Sequence, residues 1–352
     1  MVFVQESVKH KRKGENMTEW NNELENKILK KSKWELTIKI IRVIFALILI
    51  YAVYMVGLSI VVDQSNAERK HTYYSQVAIE WTVPNVKGVY HTETLELSPF
   101  GTQTFRYNLV KMVGHEEVIV GDVTMKKALL NQFSQLKITH PGKEQISTFS
   151  FSLPEDPRTG ENLFAHTGQS DVWTRLEKLP EGTVGELAFS TTAFMSPEEI
   201  IELLNDYEFD ILWMPLYTGE FLDNRPLAWG GGGSSISING VMGLSGGRDH
   251  GDDFTSFTQI NNITVNNMED SKRMMLKNME ELLAMDKSYY ERLLGLSALQ
   301  EQYTYIQDEG FIAYGAVVTG PVKELLKLKE LETIQSVQLG EVELWNWDPS
   351  NF

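Results

Sequence analysis

Gly243-Leu244-Ser245-Gly246-Gly247 has the G-x-S-x-G spacing of a nucleophile elbow, and Asp249 and His250 come within five residues of Ser245. In a hydrolase that elbow lifts the serine hydroxyl off a strand–turn–helix, and an acid and then a histidine arrive from further along the chain. Here the residues after the motif, 247–254, carry no apolar helical face, and His250 is both the last histidine and the immediate neighbour of Asp249. Adjacent residues cannot build that triad, so 243–254 reads as a flexible surface loop. Asp249, Asp252 and Asp253 are hard oxygen donors of the kind calcium takes. Their spacing is not that of the calcium-binding loop, and a solvated acidic loop is the simpler reading. The Gly230–Gly233 run lacks the Lys-Ser/Thr ending of a phosphate loop. The histidines at 71, 91, 115, 140, 166 and 250 form no i, i+4 pair for zinc, and the absence of cysteine removes thiolate nucleophiles, disulfides and Cys-ligated metals. The sequence therefore predicts no enzyme, no cofactor and no metal site.

A different chemistry, apolar docking, is written near the N-terminus. Trp20, Leu24 and Ile28 recur at i, i+4 and i+8, with Leu29 beside them, on a helix that can start at Thr18. Glu19, Glu23, Glu25, Lys27 and Lys30 surround the stripe. Such a helix either docks in a groove on a partner or lies on an anionic membrane surface through its lysines. Trp20, Leu24, Ile28 and Leu29 are the candidate partner-binding residues.

Those residues must be held in place by the segment C-terminal to them. Val43–Val62 is twenty uncharged residues, long enough as a helix to cross roughly 30 Å of hydrocarbon. A buried core helix would show a polar face, and a signal peptide has a shorter apolar region, so a retained single-pass anchor is expected. Lys27, Lys30, Lys31, Lys33, Lys39 and Arg42 precede the run, whereas Asp63 and Glu68 lie just beyond it. Basic residues gather on the cytoplasmic side, which predicts a cell-membrane protein with its N-terminus inside and its bulk outside. The 352 residues divide accordingly. Residues 1–42 hold ten bases and six acids, a net +4, while 63–352 hold 22 bases and 42 acids, a net −20. That acid excess argues against direct nucleic-acid capture.

The outer 290 residues suggest two units. The first, 72–140, reads as β-rich and membrane-proximal: Val77, Ile79, Trp81 and Val83 alternate, as do Phe105, Tyr107 and Leu109, with Pro84 at a strand edge or end. The second, 150–347, contains two strand–helix–strand modules. In one, the strand 185–191 precedes Ser196-Pro197-Glu198-Glu199, a capping box with proline at the first helical position, and Asp210–Tyr217 is an apolar strand. In the other, the strand 311–320 precedes Pro321, a short leucine-rich helix, and a strand from Thr333 whose phase changes at Gly340, as a β-bulge would cause. The fold class expected is a single-pass membrane protein with an α+β outer region ending in a ferredoxin-like α/β sandwich. Between the modules, Met275, Met279, Leu282 and Leu283 share one helical face. Core packing explains that stripe better than an adaptable peptide groove.

Residues 179–216 and 314–347 resemble the sigma factor regulator family of Gram-positive bacteria. The most specific pieces are Leu179-Pro180-Glu181-Gly182-Thr183, Val318-Thr319-Gly320-Pro321 and Gly340-Glu341-Val342-Glu343-Leu344-Trp345-Asn346-Trp347. The resemblance implies a membrane-anchored anti-sigma factor for an extracytoplasmic-function sigma factor. Its cytoplasmic tail, 1–42, would keep that partner from core RNA polymerase, and its outer domain would answer envelope stress through altered hold or loss of the regulator. The shortness of the tail leaves room for a second small membrane protein beside it. It also leaves room for a membrane-anchored sensor module that does not itself sequester a sigma factor.

Overall fold

The computed structural model describes residues 11–64, 66–89, 96–128, 133–139, 149–163, 171–219, 222–224, 235–237 and 241–344. They fall into two compact units, Met1–Gln64 and Ser65–Phe352.

The first unit is a single helix, α1, Lys11–Gln64. It starts seven residues before Thr18 and meets no proline, since the first in the chain is Pro84. At 1.5 Å per residue its 54 residues measure about 80 Å. The stretch Asn22–Val62 is long and apolar enough to cross a membrane, and none of its most apolar window is buried. Ile44, Phe45, Leu47, Ile48 and Val53 are all more than half exposed. A soluble protein's core helix would bury these side chains, so a membrane anchor is the physical reading of α1.

The second unit opens with α2, Ala67–Thr82, behind Asn66 at φ 47°. Here the expected strand through Val77, Ile79 and Trp81 is corrected to a helix in which Thr72–Trp81 are all buried. A helix enclosed on every side needs no polar face, so its sequence can alternate by accident. The i, i+4 spacing of Tyr73, Val77 and Trp81 is the competing signal. Pro84 lies in the turn after α2, not in a strand.

A five-stranded antiparallel sheet comes next: β1 Lys87–Val89, β2 Glu96–Leu97, β3 Gln103–Val113, β4 Glu116–Lys127 and β5 Gln135–Thr139. Its order is β1-β3-β4-β5, with β2 also on β3. Phe105, Tyr107 and Leu109 face inward as the alternation predicts. Gly114 at φ 62° begins the two-residue β3–β4 turn, where a left-handed residue is required.

After α3, Val172–Glu177, comes the first module: β6 Thr183–Met195, α4 Pro197–Leu204 and β7 Asp210–Tyr217. The Ser196–Glu199 capping box forms in both directions. Short strands β8 Leu222–Asn224, β9 Ser235–Ser237, β10 Met242–Ser245, β11 Arg248–His250 and β12 Phe257–Gln259 lead to α5 Met268–Leu283 and then α6 Leu299–Glu309. The Gly230–Gly233 run lies outside the described residues. Met275, Met279 and Leu282 are fully buried, so the methionine stripe of α5 is core. The second module is β13 Ile312–Pro321, α7 Val322–Lys327 and β14 Ile334–Leu344. The register shift between Leu339 and Val342 is the irregularity expected at Gly340.

The second sheet runs β10-β7-β13-β6-β14 with every neighbour antiparallel. β6 and β7 are therefore mutually parallel with β13 between them, and β13 and β14 are parallel with β6 between them. The two modules interlock, each inserting a strand into the other. The main core of the second unit joins both sheets to its helices: Tyr73, Tyr74 and Trp81 of α2 cluster with Phe105 and Met125 of the first sheet, Phe189 and Val318 of the second, and Met279 of α5.

Candidate functional site

On α1 the four docking candidates are placed in this way. Leu24 is 41% exposed, Ile28 63% and Leu29 48%. Trp20 lies within the helix, but its side chain is outside the described residues. Leu24 and Ile28 share a face one turn apart, and Leu29 is rotated about 100° from Ile28. Lys31 and Glu35 occupy the continuation of that face, so the stripe ends after two turns, about 12 Å from Trp20. Trp34, 69% exposed between Lys33 and Glu35, is a further large apolar side chain of this segment that lies outside the expected spacing. Its signal is nonetheless in the sequence: a lone tryptophan in a basic run has no helical partner to bury it.

Within the second unit, polar chemistry concentrates on α2. Arg248 of β11 is buried and donates to Glu80 and Gln76 of α2. Its backbone carbonyl accepts from the Tyr73 hydroxyl (2.9 Å) and from Asn278 Nδ2 of α5 (2.8 Å). The Tyr74 hydroxyl donates to Glu281 Oε2 at 2.7 Å, and His250 Nε2 meets the same oxygen at 2.8 Å. His71 Nδ1 lies 2.9 Å from the Tyr289 hydroxyl, and the Tyr107 hydroxyl donates to Ser75 at 2.9 Å. Burial pushes the Tyr73 and Tyr74 hydroxyls well above the usual tyrosine range, and for Tyr74 the Glu281 carboxylate adds to it. Burial likewise pulls the Lys87 ammonium down to about 8, although Nζ donates to the Asn261 carbonyl at 2.6 Å.

A second buried centre joins the two sheets. Lys111 Nζ of β3 lies 3.1 Å from Glu186 Oε2 of β6, with both side chains at 0% exposure. Asn85 Nδ2 donates to Glu186 Oε1 at 2.8 Å, and the Glu341 N–H donates to Oε2 at 3.3 Å. Burial raises the Glu186 carboxyl, and Lys111 and Asn85 oppose that rise.

The hydrolase elements are not assembled. Ser245 is buried on β10, paired with Trp213, so the segment is a strand and not the surface loop expected. His250 directs Nδ1 at the Gly251 carbonyl and Nε2 at Glu281, leaving neither nitrogen for a serine. Asp249 pairs with Lys277 and Arg273, and Asp253 accepts from Thr255. Among the described residues no group of three or more His, Asp or Glu gathers as a metal site.

Comparison with known proteins covers most of this architecture. Residues 26–118 match the sigma factor regulator N-terminal family and residues 176–341 the sigma factor regulator C-terminal family. Among curated relatives, the chain is 23% identical over 282 residues to the probable anti-sigma-M factor YhdL of Bacillus subtilis (strain 168), covering 77% of this chain and 68% of that protein. No solved structure matches.

Proposed function

The chain belongs to the sigma factor regulator family, and from that premise we propose that it is a membrane-anchored anti-sigma factor. The observation that carries this reading is the joint presence of both family segments with one helix able to cross a membrane. The partner is a sigma factor of the extracytoplasmic-function type, kept from core RNA polymerase by the N-terminal segment of α1. Lys27, Lys30, Lys31, Lys33, Lys39 and Arg42 support a cytoplasmic position for that segment and an outer one for the second unit. Exposure of Leu24, Ile28 and Leu29 supports them, with Trp20, as the docking stripe.

The 4-1-3-2 order of the long strands β14, β6, β13 and β7, with a helix after the first and third, supports the ferredoxin-like reading of the outer region. In the chain only two residues separate the end of α1 from the start of α2. A change in how the outer unit packs α2 is therefore the natural input to the span. A ligand or partner achieves that only by binding two states of the packing differently.

The test is capture of an extracytoplasmic-function sigma factor by the full chain in lipid nanodiscs. Burying Leu24 and Ile28 in a partner groove is worth about 3 kcal/mol for the pair, so Leu24→Ala with Ile28→Ala should weaken capture about a hundredfold. If the full chain holds no such sigma factor, the anti-sigma reading fails. If the double variant captures it undiminished, the docking stripe is wrong and other residues of the N-terminal segment hold the partner.

A further inference from the structure

Where the turn of the first sheet meets the end of the second, a cleft of about 530 Å³ opens beside Gly114, His115, Val184, the segment Tyr207–Asp210 and Thr319–Pro321. That volume lies within the range of small-ligand sites. Its walls are closely seated. A Cβ on Gly320 would come within 2.5 Å of the Phe209 Cβ, and one on Gly114 within 3.0 Å of Val184, so both glycines let the walls close. Tyr207 and Phe209 stack at 5.6 Å with 14° between their planes. Two polar groups of the wall are already engaged: the Gly114 N–H donates to Thr319 Oγ1 at 2.7 Å, and the Thr319 hydroxyl donates to the Gly185 carbonyl at 2.9 Å.

Charge decides what such a cleft selects. Glu208 and Asp210 line it, and no Lys or Arg does. Asp210 Oδ1 accepts from Asn262 at 2.8 Å, while Oδ2 lies 3.6 Å from His115 Nε2. Lys327 approaches Glu208 electrostatically, but its ammonium is held by both oxygens of Glu324 at 2.7 Å. The local balance of Glu208, Asp210 and Glu324 against Lys327 is negative. Aromatic faces and carboxylates converging on one space attract a cation by ring quadrupole and by charge, and repel an anion. A neutral sugar would want amide and guanidinium donors, which this lining lacks.

We propose that this cleft binds an organic cation, a primary ammonium or guanidinium group on an extended chain, between the Tyr207–Phe209 pair and the carboxylates of Glu208 and Asp210. The chemistry is shared by a free polyamine and by a Lys or Arg side chain of a basic peptide. The inference stands whether or not the N-terminal segment holds a sigma factor.

Full-length protein in nanodiscs of zwitterionic lipid, titrated calorimetrically with spermidine and separately with tetralysine, tests it. Saturable one-to-one binding of either probe is expected, and which one binds tells free polyamine from peptide. Tyr207→Ala should weaken it about three- to thirtyfold, Glu208→Gln with Asp210→Asn at least as much, and Glu208→Lys should abolish it. Glu208 is exposed, so its variants should melt like the parent. The proposal is overturned if neither probe saturates at millimolar concentration. It is equally overturned if the variants bind as the parent does, or if neutral chitobiose binds in place of the cations.

Discussion

Lys111→Met, which keeps the aliphatic stem and deletes the ammonium, strands Glu186 at 0% exposure beside the gap. Two donors remain to the carboxylate, Asn85 and the Glu341 N–H, but the counter-charge is gone. Breaking a fully buried pair by one partner costs about 3–5 kcal/mol. At about 2–4 °C per kcal/mol for a unit of this order of size, the melting temperature should fall by about 6–20 °C. The dependence on pH fixes the cause. Burial raises the Glu186 carboxyl in the folded state, and Lys111 is the largest opposing influence. A carboxyl raised on folding contributes its stability below its unfolded value, about 4.3, and loses it as pH climbs through the folded value. Without Lys111 the folded value rises further, so the variant should lie nearest the parent at about pH 4 and fall away from it toward neutrality. Adding Glu186→Gln should restore most of the loss and abolish this pH trend. Thermal melts of the full chain in nanodiscs, read by the fluorescence of Trp81 and Trp213, both buried, measure all three proteins. A Lys111→Met melt within 2 °C of the parent, or a deficit that grows on acidification, would refute the reasoning.

Burial, with Lys127 and Lys70 nearby, lowers the His71 imidazole from 6.5 to about 3. Its contribution is therefore present above about 6.5 and lost as pH falls toward 3, and His71→Gln should flatten that acid limb in melts across this range. Gly315→Ala would set a Cβ 2.2 Å from the Phe189 carbonyl oxygen in the β13–β6 ladder, and should destabilise by about 1–3 kcal/mol in urea titration; a neutral result would mean the ladder yields freely. Ser196→Ala removes the α4 capping box and should lose about 0.5–2 kcal/mol by the same titration. Ser245→Ala should leave sigma capture unchanged, because Ser245 is a buried strand residue; loss of capture with an intact fold would reopen a role for it.

Local signals were the legible ones. The capping box at Ser196 declares α4 because its partners lie three residues apart, and the phase change at Gly340 declares the irregularity in β14. The span was legible because twenty uncharged residues have few other uses. What escaped was set by distant partners. α2 looked like a strand because its surroundings, supplied by β3, β10, β11 and α5, dissolve the polar face that normally marks a helix. Arg248 and Asp249 sit among glycines and acids that look solvated, yet Arg248 is buried against α2. Lys111 could have been found: it shares the inward parity of Phe105, Tyr107 and Leu109 on β3, and an inward lysine needs a carboxylate. Which one it finds, Glu186, depends on a sheet-to-sheet contact that no local pattern encodes. On α1, spacing gave the face shared by Leu24 and Ile28, but not the exposed Trp34, which lies off it.

The polar grip on α2 also sets an order in time. Tyr73 bonds Asn278 across 205 residues of chain, and Gln76 bonds Arg248 across 172. A ribosome adding roughly 5–20 residues per second leaves about 10–40 s between the birth of Tyr73 and that of Asn278. Through that interval α2 must wait with Gln76, Glu80 and its tyrosines hydrated, beside an anchor that is already complete. The core of the second unit closes late, so a chain truncated before α5 leaves α2 without the helix that Tyr73 and Tyr74 bond.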